Sequence, residues 1–597
     1  MNPSHTAKHS SPSKGTPAAF WLVLLTFFMC LAVNSLVPSF QSPDEDAHLK
    51  RAYLLAHGQI WLDHPQGQAS GGLVDQGLLN YMDKFSALPF HGERKVFAND
   101  IYEAKQIEWA RSSVFAATSG ISYYFPILYA PQALGIRIGE MLGLSVHTSY
   151  QIAKISALLA ACLLLYWALS LYTFSALSIS LFILPMSLFQ MGATSIDGVA
   201  HASCLVVIAM YLKLNQMQKQ TPAWFAYILC ALIILLTTTR MHLLPLLLLP
   251  FLAHRITKQP VYLWGAIAAS LFTLSWILVS IIFVVDPKTA AGLSPTQLIA
   301  YYAMHPLQLL TVISNTLTSF ATLKSYATAF IGVLGWLDAS LPKVQYAVLG
   351  SLLGLLGLSC ITWRPKTVPP SIQKVFVVCS LGSIAIIFLS LLIQWTPHPA
   401  TIILGVQGRY FFAPILLLTV AFSKPLMAER SANQILSSVL LIILGACSVT
   451  FTSQLLLQRY YLVPERIETS SQTLEWSKLA TANQALPLVF SAYQSTTPAK
   501  LQGISLLIDA TSPGVAQLEL LSASEPAKSV SFAYLAGKKS TYLPIAIPLG
   551  SYTSAKILAS DGQEFNIQMI NSNDGVQRAC LVYELSDGSR RYTPACP

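Results

Sequence analysis

Charge is what this sequence has least of. Only 10% of its 597 residues are Asp, Glu, Lys or Arg, while 54% are apolar. With a mean hydropathy of +0.55, the chain cannot furnish the mixed polar surface that a soluble protein of this length presents to water. Paired cysteines are missing as well. None of the nine forms a Cys-x-x-Cys, and seven fall in or near apolar stretches, where a thiol behaves as a small core residue, so no thiolate metal site is expected. The formal net charge of +10 is not laid out as a basic stripe with interleaved aromatics, which argues against nucleic acid as a partner. No Gly-rich phosphate loop, Ser-His-Asp order or His-Glu-x-x-His motif is present to suggest a familiar soluble enzymology.

What the chain has in quantity is apolar runs of about 20 residues, the length that crosses roughly 30 Å of hydrocarbon as a helix. They recur from Phe20 to Leu457 and stop beyond Gln458. Eleven spans are expected, at 20–38, 149–172, 175–194, 197–213, 222–239, 241–254, 260–285, 344–363, 374–395, 409–423 and 434–457. No small-x-small cleavage site follows the first run, so it reads as a retained helix behind a polar tail, residues 1–19, that carries Lys8 and Lys14. Short connections with Lys213 and Lys219, Arg255 and Lys258, Arg364, Lys366 and Lys374, and Lys424 and Arg430 belong in the cytoplasm by the positive-inside rule. That rule leaves no crossing for Tyr123–Leu142, which contains Pro126, Pro131, Arg137 and Glu140. It reads as an interfacial helix on the outer face. The N-terminus then lies inside, and the loops 39–148 and 286–343 and the C-terminus lie outside.

From Gln458 to Pro597 the pattern changes. Apolar residues alternate over Gly503–Ile508, Ala516–Leu521, Tyr542–Ile547 and Phe565–Ile570, separated by polar turns, as in a β-sandwich. Cys580 and Cys596 are the only cysteines there. An oxidising exterior permits a bridge between them, and two free thiols are the alternative. The expected fold class is thus a polytopic α-helical membrane protein, the membrane domain covering 20–457, with external interfacial helices and a β-sandwich-like domain over 458–597.

Three carboxylates and an imidazole follow the first helix directly, in Val37-Pro38-Ser39-Phe40-Gln41-Ser42-Pro43-Asp44-Glu45-Asp46-Ala47-His48. Ionisable groups at the mouth of a membrane span are costly unless solvated or paired, and are functional candidates for that reason. A solvated loop start is the plain alternative. A short helix begun by Pro43 would put Glu45 and His48 three apart and Asp44 and His48 four apart, on one face. A carboxylate so placed can act as a general base on a hydroxyl or amine. Two adjacent carboxylates can equally hold a divalent cation, though no further ligand is evident.

These residues, followed by Tyr123-Tyr124-Phe125-Pro126-Ile127-Leu128-Tyr129-Ala130-Pro131, by Gly335-Trp336-Leu337-Asp338 and by Gln407-Gly408-Arg409-Tyr410-Phe411, resemble domain-of-unknown-function family 2142. That family is similar in layout to the C-type (GT-C) glycosyltransferases. The resemblance covers about 15–457 and not the tail, and Asp46 stands where a proline is as often expected. It implies a GT-C-like membrane domain and a bacterial inner-membrane enzyme with a periplasmic C-terminus. Such an enzyme moves a sugar from a polyprenyl-phosphate carrier to a glycan, lipid or protein acceptor. It also implies an essential acid in the first external loop, Asp44 or Glu45. A second acid at the start of a later helix would be Asp197 in Thr194-Ser195-Ile196-Asp197-Gly198, for which a helix-capping role is the alternative.

A phosphate carrier needs fixed cations, and arginine's planar fork suits it. Arg240 and Arg409 sit at outer boundaries, against the charge pattern, and snorkelling or ion-paired interfacial arginines are the alternative. Lys324 is a weaker third. Trp336 and Asp338 could line an acceptor groove, or Trp336 could belong to an interfacial belt, and Tyr123, Tyr124 and Tyr129 carry the same ambiguity. No cofactor is fixed by this reading, and a divalent cation at the paired carboxylates is the candidate it leaves open. A lipid or sugar translocator and a non-catalytic envelope-assembly protein are the competing functions.

Overall fold

A computed structural model describes residues 16–92, 94–96, 98–285, 293–362, 368–426, 432–462, 475–478, 485–486, 500–522, 526–548, 554–559, 565–571, 577–579, 581–585 and 590–592. The chain divides into two units, Met1–Gly92 with Val96–Tyr461, and Leu462–Pro597 with Glu93–Lys95. Cys580, Cys596, Arg364, Lys366 and Arg430 lie outside the described residues.

The first unit is helical. Among the described residues seven helices are long and apolar enough to cross a membrane: Pro17–Asn34, Val146–Leu171, Asp197–Gln220, Pro260–Phe283, Lys343–Cys360, Pro370–Gln394 and Ala432–Tyr460. Three shorter apolar helices, Trp224–Thr239, Met241–Thr257 and Gly408–Phe422, cover further expected spans. The most hydrophobic stretch of Asp197–Gln220 is 89% buried, which makes it the centre of the bundle. Cys30, Cys162, Cys204, Cys230, Cys360 and Cys379 are free and buried among these helices, as small core residues.

Of the eleven expected spans, 175–194 is not one continuous helix. This segment forms a short helix Ala176–Ser180, a 3-10 turn Leu181–Ile183 and a second helix Pro185–Met191. Pro185 forces the residue before it out of the helical region, and Leu184 is extended at φ −65, ψ 151. Almost every residue from Phe174 to Ala200 is buried, so the broken segment lines the interior of the bundle. Pro245, which has no N–H to donate, lies inside the 3-10 helix Met241–Leu247 that leads into Leu248–Thr257.

The segment expected to lie flat is the 12-residue helix Ala130–Met141, too short to cross, preceded by a 3-10 turn at Pro126–Tyr129. It packs on Val146–Leu171 through Gly135 and Gly139. A Cβ at these positions would fall on the Ala153 backbone and on Ser149, so only glycine allows the approach. Between the first span and this helix, Glu45–Ala56 runs along a small antiparallel pair of strands, Gly71–Asp75 with Ser113–Ala117.

The second unit is built of strands. Lys500–Ala510 pairs with Gly537–Pro548 on one side, and end to end with Phe565–Asn571 and Leu581–Leu585 on the other. A second sheet contains Gly514–Leu521 between Lys528–Tyr534 and Ser554–Ala559. Leu506, Ile508 and Phe565 of the first sheet and Leu518, Phe532 and Ile557 of the second share one hydrophobic cluster, which is the packing of a two-sheet sandwich. The alternation read from the sequence is the cause: in Gly514–Leu521 it is Ala516, Leu518 and Leu520 that are buried.

Candidate functional site

Four charged residues from four distant segments meet inside the helical unit. Asp197 is the first residue of its helix, and its carboxylate caps nothing. It forms a buried salt bridge with Arg240 through one oxygen and reaches Nη1 of Arg409 with the other at 3.4 Å. Nη2 of Arg409 lies 3.3 Å from Asp44. Arg240 follows Thr239 where that helix ends, and Arg409 sits in the 3-10 turn Gly408–Phe411 that leads into Phe412–Phe422. All lie at helix ends: the helix dipole favours Asp44 and Asp197 at N-termini and Arg240 at a C-terminus, while Arg409 stands at an N-terminus and is offset by the two carboxylates. Side-chain exposure is 5% for Asp197, 4% for Arg409 and 11% for Arg240, but 32% for Asp44. Asp44 is the one member of the group that faces outward.

The backbone explains how Asp44 gets there. It lies in the left-handed region, φ 61, ψ 12, and this turn precedes the helix Glu45–Ala56. Aspartate is among the few non-glycine residues that adopt this conformation readily. The turn also sends the next carboxylate elsewhere. Glu45 is buried, and its Oε1 accepts from the Tyr150 hydroxyl at 2.9 Å, the Thr194 amide at 2.9 Å and the Thr194 hydroxyl at 3.1 Å. Its Oε2 accepts from the Ser42 amide at 3.1 Å. Glu45 thereby ties its own loop to the segment that leads into Asp197. Because the two acids diverge, they do not form a shared cation site. Among the described residues no group of three or more His, Cys, Asp or Glu is placed to hold a metal ion.

Glu45→Gln should accordingly act on stability. All four neighbours donate, and an amide nitrogen in place of one oxygen would meet a donor, leaving a buried group unsatisfied at a cost of about 1–3 kcal/mol. A lower unfolding temperature of the detergent-solubilised protein is the expected result.

His48 lies on the same helix with its Nδ1 2.6 Å from the Tyr129 hydroxyl and its ring stacked on Tyr124. Tyr124 in turn accepts from Nη1 of Arg240 at 3.1 Å and presents its ring to that guanidinium. Burial, and then repulsion from Arg240, push the imidazole down to about 4. It is neutral at pH 7, so it does not serve there as a fixed cation. Its folded value lies below the ordinary 6.5, so its contribution to stability is complete above pH 6.5 and is lost as the pH falls toward 4. The expected loss is about 3 kcal/mol across that window. Unfolding temperatures measured from pH 7 to pH 4 should fall, and should fall less in His48→Gln.

A small open pocket lies against this group, lined by Asp197, His201, Arg240, His242, Arg409 and Tyr410 among others. His201 is one helical turn beyond Asp197 and stacks on Phe412 at 3.9 Å between ring centroids. Nε of Arg409 has no hydrogen-bond partner. His201 and His242 are pocket histidines without a part in the sequence-based expectation, although for His201 an acid and a histidine four apart at the start of a helix is a readable signal.

Trp336 and Asp338 do not line this pocket. The Trp336 indole donates to the Phe40 carbonyl at 2.9 Å, which fixes the loop before Asp44. Asp338 accepts from Arg459 at 2.7 Å and from the amides of Phe90 and Trp336 at 2.9 and 3.1 Å. This pair braces loops around the site. Lys324 is exposed on Phe320–Gly332 and also stays apart from the pocket.

A bundle of apolar helices with a buried, paired charge network at their ends, joined to a strand-rich unit, defines a multi-pass membrane protein with a polar site. The chain belongs to the DUF2142 family of predicted membrane proteins, whose model matches residues 27–453. No characterised protein matches it at a significant level.

Proposed function

We propose that this protein is a glycosyltransferase of the C type. It would take a sugar from a polyprenyl-phosphate carrier and pass it to an acceptor on the outer face of a bacterial inner membrane. The N-terminus would be cytoplasmic and the strand-rich domain periplasmic. The observation that carries the reading is the shared network of Asp44, Asp197, Arg240 and Arg409, in which only Asp44 is open to solvent.

In this reading the parts have separate roles. Asp197 is a positioning residue that holds both guanidinium groups against a pocket. Arg240 and Arg409 grip the donor phosphate, whose oxygens match their planar N–H groups. Binding of that phosphate takes Arg409 from Asp44 and frees a carboxylate at the pocket mouth. Asp44 accepts the proton of the acceptor hydroxyl or amine as the acceptor atom attacks the anomeric carbon. The bond from that carbon to the phosphate oxygen breaks, the electron pair leaves with the phosphate, and the two arginines neutralise the departing charge. One displacement inverts the anomeric configuration.

The test is to supply the purified chain with a panel of radiolabelled polyprenyl-phosphate sugars and a membrane extract. One donor should label an acceptor, and its product should have the opposite anomeric configuration. A folded preparation that transfers from no donor, or that retains configuration, contradicts the reading.

A further inference from the structure

Away from the charge network, Arg51 is 1% exposed and is in none of the ion pairs formed among the described residues. Its Nη2 donates to the Ile60 carbonyl at 2.8 Å, while Nε and Nη1 are buried without any hydrogen-bond partner. A guanidinium has five N–H groups to satisfy, and a buried unpaired cation is costly. Burial lowers its basicity only to about 10, so it remains charged at neutral pH.

Arg51 lines a second pocket with Ile60, Trp61, Trp276, Phe283 and Val284. The indoles of Trp61 and Trp276 stack at 5.4 Å, and Trp276 donates to the Tyr123 carbonyl at 3.0 Å. Trp276 and Phe283 belong to the last turns of Pro260–Phe283, a helix long and apolar enough to cross a membrane. Just past its end Val285 and Ser70 exchange hydrogen bonds of 2.8 and 2.9 Å, so the first long loop is clamped to the helix terminus. The pocket thus combines a cation with a mainly apolar, tryptophan-rich wall at the end of an apolar helix, the kind of place where Trp and basic side chains of membrane proteins meet lipid head groups.

We infer that this pocket binds the phosphate head of a membrane lipid, with Arg51 taking the phosphate oxygens and the wall of Trp61, Trp276 and Phe283 taking the start of the chain. A phosphate supplies the acceptors that Nε and Nη1 lack, in the paired geometry a guanidinium favours. Trp61 is 60% exposed, so this wall of the pocket borders the surroundings from which a lipid would enter. The site is separate from the Arg240–Arg409 pocket, and the inference holds whether or not the protein transfers sugar.

Native mass spectrometry of the full-length protein in detergent tests it, with polyprenyl monophosphate, phosphatidylglycerol and neutral polyprenol as probes. Wild type should retain a phosphate-bearing lipid in preference to polyprenol. Arg51→Gln should weaken retention about tenfold or more, and Arg51→Lys should recover part of it. Val279→Trp, which fills the pocket and keeps the arginine, should weaken retention in a normally folded protein. Preference for polyprenyl monophosphate identifies a carrier lipid as the occupant, and preference for phosphatidylglycerol identifies a bilayer lipid. Equal retention of polyprenol, or unchanged retention in Val279→Trp and Arg51→Gln, overturns the inference.

Discussion

Asp44→Asn should abolish transfer while leaving the protein folded. The amide cannot accept the acceptor's proton, and loss of a general base typically costs about 10²–10⁴ in rate. The fold should tolerate the change for two reasons. Asparagine is at least as comfortable as aspartate at φ 61. The lost ion pair is also partly exposed, with Asp44 at 32%, where such pairs are worth about 0–1 kcal/mol. Glu45→Gln should show the reverse, reduced stability with transfer retained. Measured together, unfolding temperature and transfer rate separate two adjacent acids that look equivalent in sequence. Full activity in Asp44→Asn removes the general base from the account.

Asp197→Ala should have the largest effect on stability. It leaves Arg240 and Arg409 buried without the carboxylate they share, and breaking a buried pair in this way costs about 3–5 kcal/mol. Little folded protein should be recovered from membranes. Adding Arg240→Met to Asp197→Ala should restore part of the loss, since one stranded cation is removed and its volume kept, and the two changes should be strongly non-additive. An unchanged unfolding temperature in Asp197→Ala contradicts the proposed dependence of both guanidinium groups on that carboxylate.

Much of this architecture is legible in the sequence because lipid imposes simple rules. Hydropathy alone marks the long helices, and the short period of two marks the strands of the tail. Arg240 and Arg409 stand out in the sequence because they violate the charge pattern of the loops, and the structure brings both to Asp197. What could not be read depended on contacts between distant segments. Nothing local distinguishes Asp44 from Glu45. The difference comes from Tyr150 and Thr194, more than a hundred residues away, which claim one carboxylate and leave the other. Asp338 is tied to Arg459 and Phe90 by similarly remote contacts, so its bracing role had no sequence signature. The break at 175–194 is a different case. Leu184-Pro185 announced it, but its hydropathy equals that of a spanning helix and concealed the interruption.

The most direct measurement follows both products of a single turnover with purified protein and an active donor. Wild type should release polyprenyl phosphate in step with glycosylated acceptor, and Asp44→Asn should release neither. Equal release by the two proteins, or movement of intact donor across the membrane without either product, would contradict the proposal that this protein is a transferase that uses Asp44.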